Sequence, residues 1–248
     1  EEIVGSVPCL PAELRALAEA LARIHALPVP PAAARPPLLD HAGAGPAAAT
    51  LAVVERQLPA LAAPGIPAAT REALEAELAW ARSWAAAIAP AAQPVTLVGT
   101  DTHPGNFLRR ADGSAVLVDL EKAAYGSPAI DLAHATLFTS TNWDLDVAVD
   151  LEPAAVRAFY RDYLERIPPA LAERLRPLLG PSRRLTWLRT MMWGARWRVA
   201  AADPDGEWSA SRIDPVLLQH IRDRVALWLA PRSVERVRAE WQGEGLGL

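Results

Sequence analysis

One hydrophobic period dominates the chain and narrows its fold more than any other feature. In PAELRALAEALARIHALPVPP, Leu14, Leu17, Leu21 and Ile24 recur at three- and four-residue steps, which places them on one face of a helix. Pro11 suits a first helical turn and Pro28 halts the run. TREALEAELAWARSWAAAIAP repeats the pattern with Leu74, Leu78, Ala81, Ala85 and Ile88, and its Trp80 and Trp84, four apart, can pack across one turn. From Pro128 the helical pattern continues nearly to the end, over about 128–139, 153–166, 170–179, 182–201, 214–229 and 231–241. Met191, Met192, Trp193 and Trp197 mark the fourth of these as a tightly packed central helix. Residues 28–49, rich in Pro, Ala and Gly, read as a loop, and His25 as a packed or surface residue rather than a ligand.

The pattern breaks in one place. VTLV at 95–98 and AVLV at 115–118 are short apolar strand candidates, and Asp112-Gly113 between them is a favoured hairpin turn. The expected fold is therefore mainly α with a small β-hairpin inserted after the second helix. At 248 residues and 51% hydrophobic, the chain can bury one large core or two small ones. A net charge of −4 argues against a polyanion-binding surface, so nucleic acid is not an expected partner. Lys122 is the sole lysine, and the single cysteine, Cys9, excludes an internal disulfide and a cysteine zinc cluster. No apolar run reaches the length of a membrane span, and a cytoplasmic location is expected.

The polar residues around the break carry the chemistry. Asp101 follows the first strand on a loop, Asn106 comes after the compact His103-Pro104-Gly105 turn, and Asp119 follows the second strand. An antiparallel return would bring Asp119 beside the 99–106 loop. Amide and carboxylate oxygens are hard ligands of the kind Mg²⁺ takes. Asp101 is then left to accept a proton from a hydroxyl. Taken singly, Asp101 and Asp119 are also ordinary turn residues. One base and two metal ligands are the minimum for moving a phosphoryl group.

The stretch from Gly99 to Ala133 resembles the catalytic core of the aminoglycoside phosphotransferase and choline kinase-like family, distant relatives of the protein kinases. The family's pattern is His-Gly-Asp, four residues, Asn, a hairpin, D-x-D or D-x-E, Gly-x-Pro and Asp-Leu-Ala. Here it reads Gly99-Thr100-Asp101, Asn106, Asp119-Leu120-Glu121, Gly126-Ser127-Pro128 and Asp131-Leu132-Ala133. LAEALARIHALP and LTWLRTMMWGARW resemble further helices of the family, so the similarity extends over most of the chain. The resemblance implies an ATP-dependent phosphotransferase acting on a small-molecule hydroxyl. It implies Asp101 as catalytic base, Asn106 and Asp119 as ligands of Mg²⁺ on ATP, and Glu121 as a weaker ligand acting through water. It also implies Asp131 as a brace of the catalytic loop and His103 as a loop-ordering residue.

Two departures stand out. The triplet's His and Gly are Gly99 and Thr100 here, which puts the order of the loop in question. The family's amino-terminal sheet lobe, with its phosphate-binding lysine, has no counterpart in the sequence: residues 1–8 resemble the hinge and 9–248 the helical carboxyl-terminal lobe, with the catalytic hairpin at 95–121. Lys122 does not match that lysine by motif. A non-catalytic ligand- or partner-binding lobe is thus the competing expectation. A hydrolase using Asp101, His103 and Asp119 as metal ligands is a weaker one, because the chain offers few such ligands. Asp144, Asp146, Asp150 and Glu152 are read as a solvated loop rather than a wall for a cationic acceptor.

Overall fold

The computed structural model describes residues 3–6, 11–145, 147–203, 205, 212–242 and 245–248; Cys9 and Asp146 lie outside them. Helices dominate: α1 (Pro11–His25), α2 (Pro46–Gln57), α3 (Ala68–Ala87), α4 (Pro128–Thr136), α5 (Phe138–Thr141), α6 (Pro153–Leu164), α7 (Pro169–Leu175), α8 (Leu179–Ala200), α9 (Pro215–Leu229) and α10 (Pro231–Arg238). Proline opens many of them. Its fixed φ suits a first helical turn, where the missing N–H would have had no partner.

Among the described residues six short strands form two small sheets: β1 (Ile3–Ser6), β2 (Leu39–Asp40), β3 (Thr96–Val98), β4 (Phe107–Arg110), β5 (Ala115–Leu117) and β6 (Ala124–Gly126). The sheets run in the orders β1-β4-β5 and β2-β6-β3. This corrects the expected hairpin. The run at 95–98 does not pair with that at 115–118; β3 pairs antiparallel with β6, and β5 with β4. Phe107-Leu108-Arg109-Arg110 hides its strand character behind two arginines, and its burial falls off from a fully buried Phe107 to an exposed Arg109 on the same face. Asp112-Gly113 forms the turn of this shorter hairpin, with Gly113 at φ +83° and the Ser114 N–H donating to Asp112 Oδ1. The supposed loop 28–49 also ends early, since α2 starts at Pro46, and α8 starts at Leu179 rather than 182.

Two apolar clusters make the core. One gathers α1, the β4–β5 hairpin, α6 and α7; the other gathers α2, α3, α8, α9 and α10. α4 stands between them with every residue buried, giving Leu132 to the first cluster and Ala133 to the second. A helix buried on all sides must satisfy its own polar side chains. Asp131 does so against the loop that follows β3, whereas His134, three residues on and on the same face, leaves its Nδ1 without a hydrogen-bond partner. Trp80 and Trp84 stack with centroids 5.7 Å apart, as their spacing predicts.

Candidate active site

The loop after β3 is ordered from beneath by α4. Asp131 is fully buried, and its Oδ2 and Oδ1 accept the backbone N–H groups of Gly99 at 2.7 Å and Thr100 at 2.9 Å. His25 Nε2 lies 3.1 Å from the same carboxylate, and its Nδ1 lies 2.8 Å from the Tyr163 hydroxyl. Asp131 takes N–H donors on every contact, so His25 carries its hydrogen on Nε2 and accepts from Tyr163. Burial and the neighbouring Asp131 push the Tyr163 phenol well above its ordinary range, which keeps that hydroxyl a donor. His25 is therefore packed, as expected, and it braces the loop. The Thr102 hydroxyl donates to the Asp131 carbonyl at 2.8 Å, and Arg189 Nη2 to the Thr100 carbonyl at 3.0 Å.

These bonds answer the question raised by Gly99-Thr100. The loop is ordered without the histidine of the family pattern. A Cβ on Gly99 would come within 2.8 Å of Leu117 Cδ2, so a larger residue there requires Leu117 to move. Thr100 adopts φ +62°, a left-handed conformation in which a β-branched residue is an outlier. Its hydroxyl offsets the cost by donating to the Lys122 carbonyl at 2.7 Å. Thr100→Gly is expected to leave stability within about 1 kcal/mol of the parent, because relief of about 1–2 kcal/mol of left-handed strain balances the lost hydrogen bond of about 1 kcal/mol. Urea unfolding checks this.

Asp101 and Asp119 line one end of a cleft of about 680 Å³, and Asn106, buried and outside that lining, is tied to Asp101 from behind. Asn106 Nδ2 donates to the Asp101 carbonyl at 2.8 Å, which fixes the amide and leaves Oδ1 as its available oxygen. The Val118 N–H donates to the Asn106 carbonyl at 2.8 Å, so the β4–β5 hairpin carries the next residue, Asp119, to the same place. Asp119 sits at φ +56° and lines the cleft with Asp101. Among the described residues its carboxylate makes no hydrogen bond or ion pair, although it lies within the electrostatic reach of His103 and Lys122. Asn106 Oδ1 and the Asp119 carboxylate are hard oxygen donors, a set that fits Mg²⁺ completed by water and phosphate oxygens. No cluster of three His, Cys, Asp or Glu suited to a metal occurs among the described residues, so a second ion has no ready cage. Glu121 is exposed and lines the same end.

Several residues at the site carry no motif signal. Lys122 Nζ lies 2.5 Å from Asp101 Oδ2, and His134 Nδ1 3.9 Å from Oδ1. Burial works to raise the Asp101 carboxyl, but interactions with His134 and with Lys122 outweigh it and hold the carboxyl below its ordinary value. The His134 imidazole is pushed down to about 3, by burial first and by the Arg189 charge second, so it is neutral near pH 7 and Lys122 and Arg189 are cations within reach of Asp101. Burial lowers His103 as well; its ring lies 6.4 Å from that of His134, its Nδ1 has no hydrogen-bond partner, and its backbone carbonyl accepts the Asn106 N–H at 2.9 Å. His134 and Asp131 were legible as an i, i+3 pair on an all-apolar helix. Arg189 gave no signal among so many arginines.

A histidine whose folded pKa is depressed binds its proton more readily when unfolded, so stability falls as pH drops below about 6.5 toward the folded value. His134 alone gives a slope of at most about 1.4 kcal/mol per pH unit, and His41 and His103 shift in the same direction. Urea midpoints at pH 7, 6 and 5 should decline in order, with a shallower decline in His134→Gln. An unchanged slope in that variant contradicts the assignment.

The chain matches the Phosphotransferase enzyme family over residues 5–178. No curated protein sequence matches it. Among solved structures it is similar to an ethanolamine kinase from Plasmodium vivax, at 14% identity and TM-score 0.53, covering 94% of this chain and 65% of that one. It is also similar to a choline kinase from Streptococcus pneumoniae, at 16% identity and TM-score 0.53, covering 91% of this chain and 68% of that one. A spectinomycin phosphotransferase solved with ADP and spectinomycin gives 13% identity and TM-score 0.53, covering 94% and 70%. At such identities the likeness establishes a shared fold. The chain spans about two thirds of the length of these neighbours.

Proposed function

The chain belongs to the phosphotransferase enzyme family, and we propose that it transfers the γ-phosphoryl group of ATP to a hydroxyl of a small molecule, in the cytoplasm, with Mg²⁺ as cofactor. The observation that supports this reading is that Asp101 and Asp119 line one end of an open cleft while Asn106 is hydrogen-bonded to the Asp101 backbone beside it. Asp101 accepts a hydrogen bond from the acceptor hydroxyl, aims its oxygen at the phosphorus, and takes its proton as the new O–P bond forms and the bond to the ADP oxygen breaks. Its carboxyl is held below the ordinary range, so the base is ionised at neutral pH. Lys122 yields its place to the acceptor; its side chain is 56% exposed and swings out on a flexible stem. Mg²⁺ would neutralise charge on the phosphate oxygens. Asn106 and Asp119 are its proposed ligands, and Glu121 acts through water.

The division into a hinge at residues 1–8 and a helical lobe at 9–248 belongs to the same proposal, as does a sheet lobe over the nucleotide. Activity is therefore proposed for the full-length protein. Its test is release of ADP from ATP that requires both Mg²⁺ and a hydroxyl compound, with the phosphate recovered on that compound. The Lys122–Asp101 ion pair and the Gly99-Thr100 pair favour a second reading, a lobe that binds a ligand without phosphorylating it. ATP binding with no acceptor-dependent ADP release would select it. Among the described residues no helix is long and apolar enough to cross a membrane.

A further inference from the structure

The cleft that holds Asp101 extends away from the proposed metal ligands into a half lined by α2, α5, α8, α9 and Trp143. We infer that this half is built for a neutral, polyhydroxylated acceptor with one apolar face, as a pyranose or a cyclitol presents. The inference rests on the transferase reading for the acceptor's place beside Asp101; its chemistry rests on three features of the cleft itself.

The first is an aromatic wall. Trp143, Trp193 and Trp228 line the cleft and touch one another, with centroids 5.4 Å apart for Trp143–Trp193, 5.7 Å for Trp143–Trp228 and 6.4 Å for Trp193–Trp228. A cage for an alkylammonium needs rings spaced to admit the cation between them. Rings in mutual contact leave no such gap. They offer instead a continuous apolar face against which the C–H face of a ring can lie.

The second is a set of buried polar atoms with no hydrogen-bond partner on residues lining that half: Thr139 Oγ1, Ser140 Oγ, Gln57 Oε1 and Trp228 Nε1. The first two residues and Trp228 are 2% exposed and Gln57 is 9% exposed. Buried polar groups are normally paired, and these four belong to residues that line the cleft, so the polar side chains of this half are neutral hydroxyl, amide and indole groups. One only accepts, one only donates, and two hydroxyls do both. Alcohol groups, each a donor and an acceptor, complement such a set. An apolar acceptor leaves it unmet.

The third is charge. Among the described residues, the carboxylates lining the cleft, Asp101, Asp119 and Glu121, cluster at the phosphoryl end, where Arg189 also sits on the Thr100 carbonyl. Nearby acidic residues turn elsewhere. Asp150 pairs with Arg236, Asp144 packs where a Cβ on Gly105 would sit, and Glu152 precedes α6 at the surface. Among the described residues lining the cleft, a cationic acceptor would meet no carboxylate beyond those at the reaction centre.

The test uses the full-length protein with two panels: methyl α-D-glucopyranoside, trehalose, myo-inositol and D-ribose as neutral probes, and choline, ethanolamine and kanamycin as cations. ADP release with Mg²⁺ and ATP reads transfer; quenching of tryptophan fluorescence without ATP reads binding. At least one neutral probe should quench and drive ADP release. Trp193→Ala and Ser140→Ala should each raise its KM, Trp193→Ala by about tenfold, with the KM for ATP within about twofold of the parent. Turnover with a cation and none with the neutral panel overturns this inference and leaves the transferase reading standing. Quenching by a neutral probe that weakens in Trp193→Ala, with no ADP release from any probe, overturns the transferase reading and supports this one. No binding and no turnover across the neutral panel overturns it.

Discussion

Replacing Asp101 by Asn is expected to lower kcat by about 10²–10⁴-fold while leaving the KM for ATP nearly unchanged. The amide keeps the shape of the side chain but cannot take a proton. The magnitude follows from the proposed role: a positioned general base contributes that range, and in the proposed mechanism Asp101 contacts the acceptor rather than the nucleotide. Two features keep the experiment clean. The Asp101 backbone carbonyl, not its side chain, accepts from Asn106, so the proposed metal ligand stays in place. Lys122, with its side chain 56% exposed, can return to water when its partner is lost, so the ion pair is worth no more than about 1 kcal/mol of stability. Steady-state ADP release with the variant and the parent checks the expectation; retention of more than about a tenth of the parent kcat would remove Asp101 from the role of base.

Asp131→Ala is expected to cost about 3–5 kcal/mol of folding stability, a large share of the roughly 5–15 kcal/mol that holds a domain together. The carboxylate is fully buried and serves the Gly99 and Thr100 N–H groups and His25 Nε2 at once. Removing it leaves donors stranded away from water, which costs more than the bonds themselves were worth. Asp131→Asn should be intermediate in cost, since its amide keeps one acceptor oxygen but turns a donor toward a donor. Urea unfolding monitored by tryptophan fluorescence gives both values. Activity should fall with stability, because the same bonds set the backbone on which Asp101 stands. A loss below about 1 kcal/mol for the alanine variant would show that the loop is held by other contacts.

The mainly helical fold was legible in the chain, and so was the kind of element that carries each candidate site residue. Asp101, Asn106, Asp119 and Asp131 appear at spacings that mark one loop, one turn, one strand end and one helix, and each occupies that kind of element. Helical period and proline placement are local properties, fixed by which side chains repeat along a few turns, so reading them needs no partner. Strand pairing is not local. Whether 95–98 joined 115–118 or 124–126 depended on which edges met, and β3 chose β6 while the arginine-ended β4 took β5. The same holds for Lys122 on Asp101, Arg189 on the Thr100 carbonyl and three tryptophans from distant segments forming one wall. Residues far apart in sequence acquire a shared environment only when packing removes water between them, and that burial also lowers His134 and holds Asp131 in place. The sequence determined which groups were available for chemistry; the packed fold decided what each of them faces.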